Sequence, residues 1–272
     1  APEEDQTVTY DATGLPTGLT INPATGLISG TPQSSGGTGA FLEQNGFVVI
    51  EMESADSLPN NWKILADNPT SPNINDPGSA TGGDFIVWEG GQSFNNQNNG
   101  LITYQVQITT PGTYQFLWRN QVGNGTNATE HNDTWLKIES DAFYAQSGGS
   151  VVCPKGQNTT ENDCTGGLPE GSGGNGWFKV YSSGATNWSW STNTYDNNPH
   201  QIYARFDQPG VYNILVSARS SSHLIDRMVL KNVNVSGNPQ DLSLAESPRS
   251  AGGGTTVYDV TVIATDNGIP AL

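Results

Sequence analysis

Glu130-His-Asn-Asp-Thr-Trp135 follows Trp118-Arg119-Asn120 across a loop rich in Gly and Asn. Carboxylate, amide and imidazole groups beside indoles are what recognition of a sugar requires. An aromatic ring covers the apolar C–H face of a pyranose. Asn120, His131, Asn132 and Asp133 can meet its hydroxyls as directional donors and acceptors. His131, Asn132 and Asp133 can equally build a turn, and Trp118 and Trp135, inside strand patterns, read as core. Trp177, Trp188 and Trp190 fall in a polar stretch rich in Gly and Asn. Trp188 and Trp190 share a face if that stretch is extended, and aromatics held in loops favour binding over packing. Trp88, in Phe85-Ile-Val-Trp-Glu89, serves either as core or as a platform. It precedes Asn98 and Asn99, in a run of amides that offers either ligand hydrogen bonds or turns.

Acid–base chemistry has less to work with. His131, His200 and His223 are the only histidines. No Ser-His-Asp spacing and no His-Glu-x-x-His motif occurs. Nothing favours one pair of carboxylates for glycoside cleavage over any other. A non-catalytic protein is expected.

These residues need a scaffold, and composition says which kind. Charged residues make up 13% of the 272, yet the net charge is −16, and Gly totals 33 and Pro 16. That is a turn-rich all-β profile. The acidic surface repels phosphates, so nucleic acid is not an expected partner. It suits divalent cations, which prefer oxygen ligands, or simply keeps the protein soluble. No apolar run approaches the length of a membrane span, so membrane insertion is not expected. Cys153 and Cys164 flank a polar loop, and a local disulfide between them implies an oxidising compartment.

Short strand patterns recur between turn signals: Phe47–Glu53, Gly100–Thr109, Thr113–Arg119, Gln201–Phe206, Val211–Arg219 and His223–Leu230. Two of the junctions are Pro111-Gly112 and Pro209-Gly210, which read as turns of two strand–turn–strand hairpins. With no amphipathic helix, the pattern suits a β-sandwich of jelly-roll type.

Two families are resembled. Ala12-Thr-Gly-Leu-Pro-Thr-Gly-Leu-Thr-Ile-Asn-Pro-Ala-Thr-Gly-Leu-Ile-Ser-Gly-Thr-Pro32 and Thr256-Val-Tyr-Asp-Val-Thr-Val-Ile-Ala-Thr-Asp-Asn-Gly268 together resemble one immunoglobulin-like or cadherin-like repeat of large bacterial surface proteins. In that family the two pieces are nearly contiguous; here most of the chain separates them. The Gly-rich junctions 33–39 and 250–256 mark where such a repeat is opened. The expected organisation is a split domain, 1–44 plus 236–272, carrying an insert at 45–235. Because the chain begins and ends inside repeat sequence, it reads as a segment of a longer exported protein.

Within the insert, Ile50-Glu-Met-Glu-Ser54, the two Pro-Gly junctions and Ile225-Asp-Arg-Met-Val-Leu230 resemble carbohydrate-binding modules of the family-six and family-thirty-five kind. That resemblance implies a structural calcium where the first and last strands meet, with Glu51, Glu53 and Asp226 as ligands. Residues 51 and 53 would share one side of a strand, and calcium takes several carboxylate and carbonyl oxygens. The alternative is an ion pair of one Glu with Arg227. In cadherin-like arrays, acids such as Glu3, Glu4, Asp5 and Asp266 bind calcium between neighbouring repeats of the same chain; a solvated acidic end is the other reading.

The combination implies a non-catalytic, calcium-dependent lectin-like region of a bacterial surface adhesin. It would act outside the cell, attaching to cell-surface or extracellular polysaccharide. An accessory module of a secreted polysaccharide-degrading enzyme is the alternative, and a purely structural spacer is a third reading.

Overall fold

The computed structural model describes residues 8–13, 15, 19–30, 39–59, 61–67, 74–75, 78–155, 176–183, 186–250 and 261–266. The chain divides into two compact units, Ala1–Gly39 with Ala251–Leu272, and Ala40–Ser250. In chain order the strands are β1 (Val8–Thr13), β2 (Leu19–Ile21), β3 (Ile28–Gly30), β4 (Phe41–Leu42), β5 (Phe47–Glu51), β6 (Trp62–Ala66), β7 (Asp84–Trp88), β8 (Ile102–Ile108), β9 (Gly112–Val122), β10 (Asp133–Ile138), β11 (Ala142–Ser147), β12 (Ser150–Val152), β13 (Phe178–Tyr181), β14 (Gln201–Phe206), β15 (Gly210–Ser217), β16 (His223–Asn232) and β17 (Thr261–Asp266).

The smaller unit joins the two ends of the chain. β1 pairs antiparallel with β17, from Val8 opposite Asp266 to Thr13 opposite Thr261. β2 and β3 form a hairpin across Asn22–Leu27, where the Asn22 side chain accepts from the Ala24 and Thr25 amides. A strand from each half of the sequence is thus needed to make one sheet.

The larger unit is an all-β sandwich. One sheet has the order β13-β10-β15-β8-β4, the other β12-β11-β14-β9-β16-β7-β6, with β5 also pairing β16. From β8 to β11 successive strands alternate between the sheets, and they do so again from β13 to β16, as in a jelly roll. Period two sets the faces. In β8, Ile102, Tyr104, Val106 and Ile108 are buried while Thr103 and Gln105 face solvent. They meet Tyr114, Phe116 and Trp118 of β9 in one continuous core. Each such side chain contributes roughly 1.5–3 kcal/mol by leaving water.

Two expectations are corrected here. The Pro-Gly junctions are not hairpins, because β8 and β9 lie in different sheets, as do β14 and β15. Each junction is an arch, and the arches stack: β8 pairs β15, and β9 pairs β14. The first arch is tied by Glu43, whose carboxylate accepts from the amides of Thr109 (2.8 Å) and Thr110 (2.7 Å).

The insert boundaries also move, from 44/45 and 235/236 to 39/40 and 250/251. Residues 236–250 form a strap on the larger unit. Ser247 exchanges two hydrogen bonds with Val49, and the Leu42 amide donates to Pro248 O at 2.8 Å. Arg249 lies 4.0 Å over the Phe41 ring. The chain therefore enters and leaves this unit side by side, with the Ser250 amide donating to Ala40 O at 2.7 Å. That adjacency is what allows a domain to be inserted into a loop of another.

Candidate functional site

Sequence and fold together bring four carboxylates to one place. β5 ends at Glu51, and Met52–Ser54 is a single 3-10 turn, so Glu53 does not continue the strand alternation expected of it. The turn nevertheless places Glu53 beside Glu51, Asp226 and Glu246 of the strap, whose charges all act on it. Glu51 is paired with Arg227, and its Oε2 lies 2.9 Å from the Thr81 hydroxyl. Asp226 is buried, 2.5 Å from Arg119 Nη1, and accepts from the Thr81 amide at 2.9 Å. The ion pair with Arg227 is therefore present, but it is buried, not a surface pair.

Glu53 is the member left over. Its Oε2 is buried without a hydrogen-bond partner. Burial, reinforced by the three neighbouring carboxylates, raises its pKa to about 9. Burial likewise lifts Asp226 to about 6, against the pull of Arg119 and Thr81. The donor set is all oxygen, as calcium prefers, and the orphaned Glu53 oxygen is what a cation would satisfy. Yet among the described residues no group of three or more His, Cys, Asp or Glu closes on one point as a ready metal cage, because Glu51 and Asp226 turn oxygens to arginines. Glu246 was not singled out in sequence, since it lies in a connector with no strand pattern. The Asp266 side chain and residues Glu3, Glu4 and Asp5 lie outside what the structure describes.

The residues expected to meet a sugar are dispersed. Trp88 is core, 3% exposed, edge-on to Trp62 at 5.6 Å, with Nε1 donating to Gly91 O at 2.9 Å. A Cβ at Gly90 would come within 2.2 Å of its indole, so the chain is moulded around it. Asn120 is fully buried, donating to Ser191 O (2.9 Å) and bonding His223 Nε2 (3.0 Å). Asp133 is buried in an ion pair with Arg219 and accepts from Ser220 Oγ at 2.5 Å. Asn132 donates to Ser182 O, and His131 holds Ser221 O from a left-handed backbone. None of Trp88, Asn120, Asn132 or Asp133 is exposed enough to serve as a platform or contact residue.

Asn98 is exposed, and Asn99 uses its carbonyl to accept from Ala218 and Ser217. Trp188 lies half-buried on the outer face of the large sheet, edge-on to Phe85 at 5.6 Å and under Arg119 at 5.1 Å. Trp118, Trp135 and Trp177 are core. Cys153 is fully buried and is not a free thiol; Cys164 lies outside the described residues.

Trp190 has a different setting. It lines a depression of about 270 Å³ on the outer face of the large sheet, with Leu117, Pro239 and Gln240. Gln201 and Asn193 line both this depression and a larger one of about 590 Å³. The larger one holds Tyr144 of β11 and Tyr203 of β14, cross-strand partners whose rings stack at 5.6 Å and 19°. Gln115 Nε2 and Tyr203 Oη both donate to Gln201 Oε1, at 3.2 and 3.1 Å. That leaves the Gln201 amide nitrogen unused. Gln146 spends its nitrogen on Gly148 O and Asn193 spends its own on two serines, which leaves two carbonyl oxygens. Among the described residues the groove thus offers flat rings beside both a free donor and free acceptors. Tyr144 and Tyr203 were missed in sequence. The signal was their outward place in Ala142–Ser147 and Gln201–Phe206, opposite the buried Phe143 and Ile202.

Comparison with known proteins adds the following. The profile of a family described as "Putative Ig domain" matches residues 1–41. No curated protein matches the chain. Similar solved structures include the Podospora anserina GH26-CBM35 β-(1,4)-mannanase, 14% identical, covering 72% of this chain and 29% of that one at a TM-score of 0.36. Another is the Arthrobacter globiformis T6 isomalto-dextranase complexed with panose, 13% identical, covering 84% and 32% at 0.37. The chain spans about a third of the length of each.

Proposed function

We propose that this is a non-catalytic carbohydrate-binding region, with the glycan held in the groove on the outer face of the large sheet. The observation that carries the reading is the pairing of stacked Tyr144 and Tyr203 with unspent amide groups of Gln201, Gln146 and Asn193 in one open depression. A ring covers the C–H face of a sugar while amides answer its hydroxyls. The acidic cluster has a supporting role: Glu53 and Glu246, with Glu51 and Asp226, would hold a calcium ion whose charge would secure the meeting of β5, β16 and the strap. The split immunoglobulin-like unit is the spacer of an extracellular, surface-attached adhesin, with its neighbours in the same chain as further partners.

A glycan array followed by calorimetric titration of the best polysaccharide tests this. Tyr203→Ala should weaken binding about tenfold, the worth of roughly 1.4 kcal/mol of ring contact. Blank arrays with calcium present would sink the proposal.

A further inference from the structure

We infer that the groove takes an internal stretch of a neutral polysaccharide and turns away chains carrying uronate or sulfate groups. The inference rests on the carbohydrate-binding reading above and specifies its ligand.

Charge is the first argument. The protein carries a net −16, yet among the described residues no Asp, Glu, Lys, Arg or His lines either depression. A recognised anion needs a cationic or strongly donating partner to replace its hydration, and an unpaired charge in a partly desolvated groove is costly. The free groups here are neutral amides and phenols, matched to hydroxyls. The surrounding acid would add a long-range repulsion, screened by salt.

Shape is the second. The two depressions adjoin, sharing Gln201 and Asn193, with the tyrosine pair in one and Trp190 in the other. The groove crosses β11, β14 and β9 and ends against the strap, where Gln240 forms the far wall. Two inter-strand spacings of about 4.8 Å separate these three strands, so the groove spans roughly 10 Å before the strap, enough for a short run of sugar units. With an aromatic at each end and amides between, it is built for a chain and not for one terminal residue.

The probes are mixed-linkage β-glucan, galactomannan, dextran, polygalacturonate, alginate and carrageenan, titrated calorimetrically at physiological ionic strength. Wild type should bind at least one neutral polymer and none of the anionic ones. Borohydride reduction of the polymer ends should leave affinity unchanged. Tyr203→Ala and the isosteric Gln201→Glu should each weaken binding tenfold or more, with melting temperature read alongside. Binding to an anionic polymer that Tyr203→Ala abolishes would overturn the neutral class while the carbohydrate reading stands. Affinity lost on end reduction would overturn internal binding. Neutral-polymer binding indifferent to both variants would move recognition out of the groove. Silence toward all six would overturn this inference and the parent reading together.

Discussion

Glu53→Gln should give opposite results in chelator and in calcium. In the metal-free protein Glu53 has a pKa of about 9 against an ordinary value of 4.5. The folded state therefore holds a proton that the unfolded chain releases. Stability from this group is full below about pH 4.5 and is lost as pH rises toward 9. At pH 7, well above the ordinary 4.5 and still below 9, the resulting loss has an upper bound of about 3 kcal/mol. Glu53 is only partly buried, and solvent screening brings that to roughly 1–2 kcal/mol. Glutamine keeps the shape and removes the titration. In chelator at pH 7 the variant should be more stable than wild type by that amount, a few degrees in melting temperature for a unit of this size, and the gap should close by pH 5. In calcium the order should invert. Wild type gains RT ln(1 + [Ca]/Kd), about 2.7 kcal/mol at a hundredfold excess over Kd, and the variant gains less. Urea unfolding at pH 5, 7 and 8.5, with calcium and with EDTA, reads all of this. A variant less stable than wild type in chelator at pH 7, with no calcium response in either protein, would refute the reasoning.

Three further outcomes are expected. A protein ending at residue 235 loses the strap, including Glu51 N to Glu246, the two Val49–Ser247 bonds and Arg227 to Leu244 O. At about 1 kcal/mol per bond it should unfold at clearly lower urea than one ending at 250; equal midpoints would return the boundary to 235. Trp88→Ala should cost about 3–5 kcal/mol as a core truncation, and a folded, unstable variant with unchanged glycan affinity is the expected titration result. The expected pairing of Cys153 with Cys164 predicts that Cys153 reacts with a thiol reagent only after reduction, and that Cys153→Ser costs about 2–4 kcal/mol; labelling of the native, unreduced protein would exclude that pair.

Much of the scaffold was legible in the residues themselves. Alternation in Ile102–Ile108 assigns four side chains to the core and the residues between them to solvent, because a strand repeats every two residues. Repeat-like residues at 12–32 and 256–268 suggested that the two ends of the chain belong together, and Val8–Thr13 does pair with Thr261–Asp266. The meeting of Glu51 with Asp226 followed from resemblance, though the strand carrying Glu51 ends at that residue and Glu53 lies in the turn that follows.

What tertiary structure decided is which strand lies opposite which. Alternation states that residues share a face; it carries no label for the partner strand, and pairing joins segments far apart in the chain. So the Pro-Gly junctions look the same whether they close hairpins or arches, and only the pairing of β8 with β15 and β9 with β14 distinguishes them. Trp88 sits in a strand that can present its indole to either side, and Trp62, Gly90 and Gly100 settle it inward. The groove depends most on this. Tyr144, Tyr203 and Gln240 belong to three separate segments, and they become one surface only when β11 docks on β14 and the strap crosses the sheet.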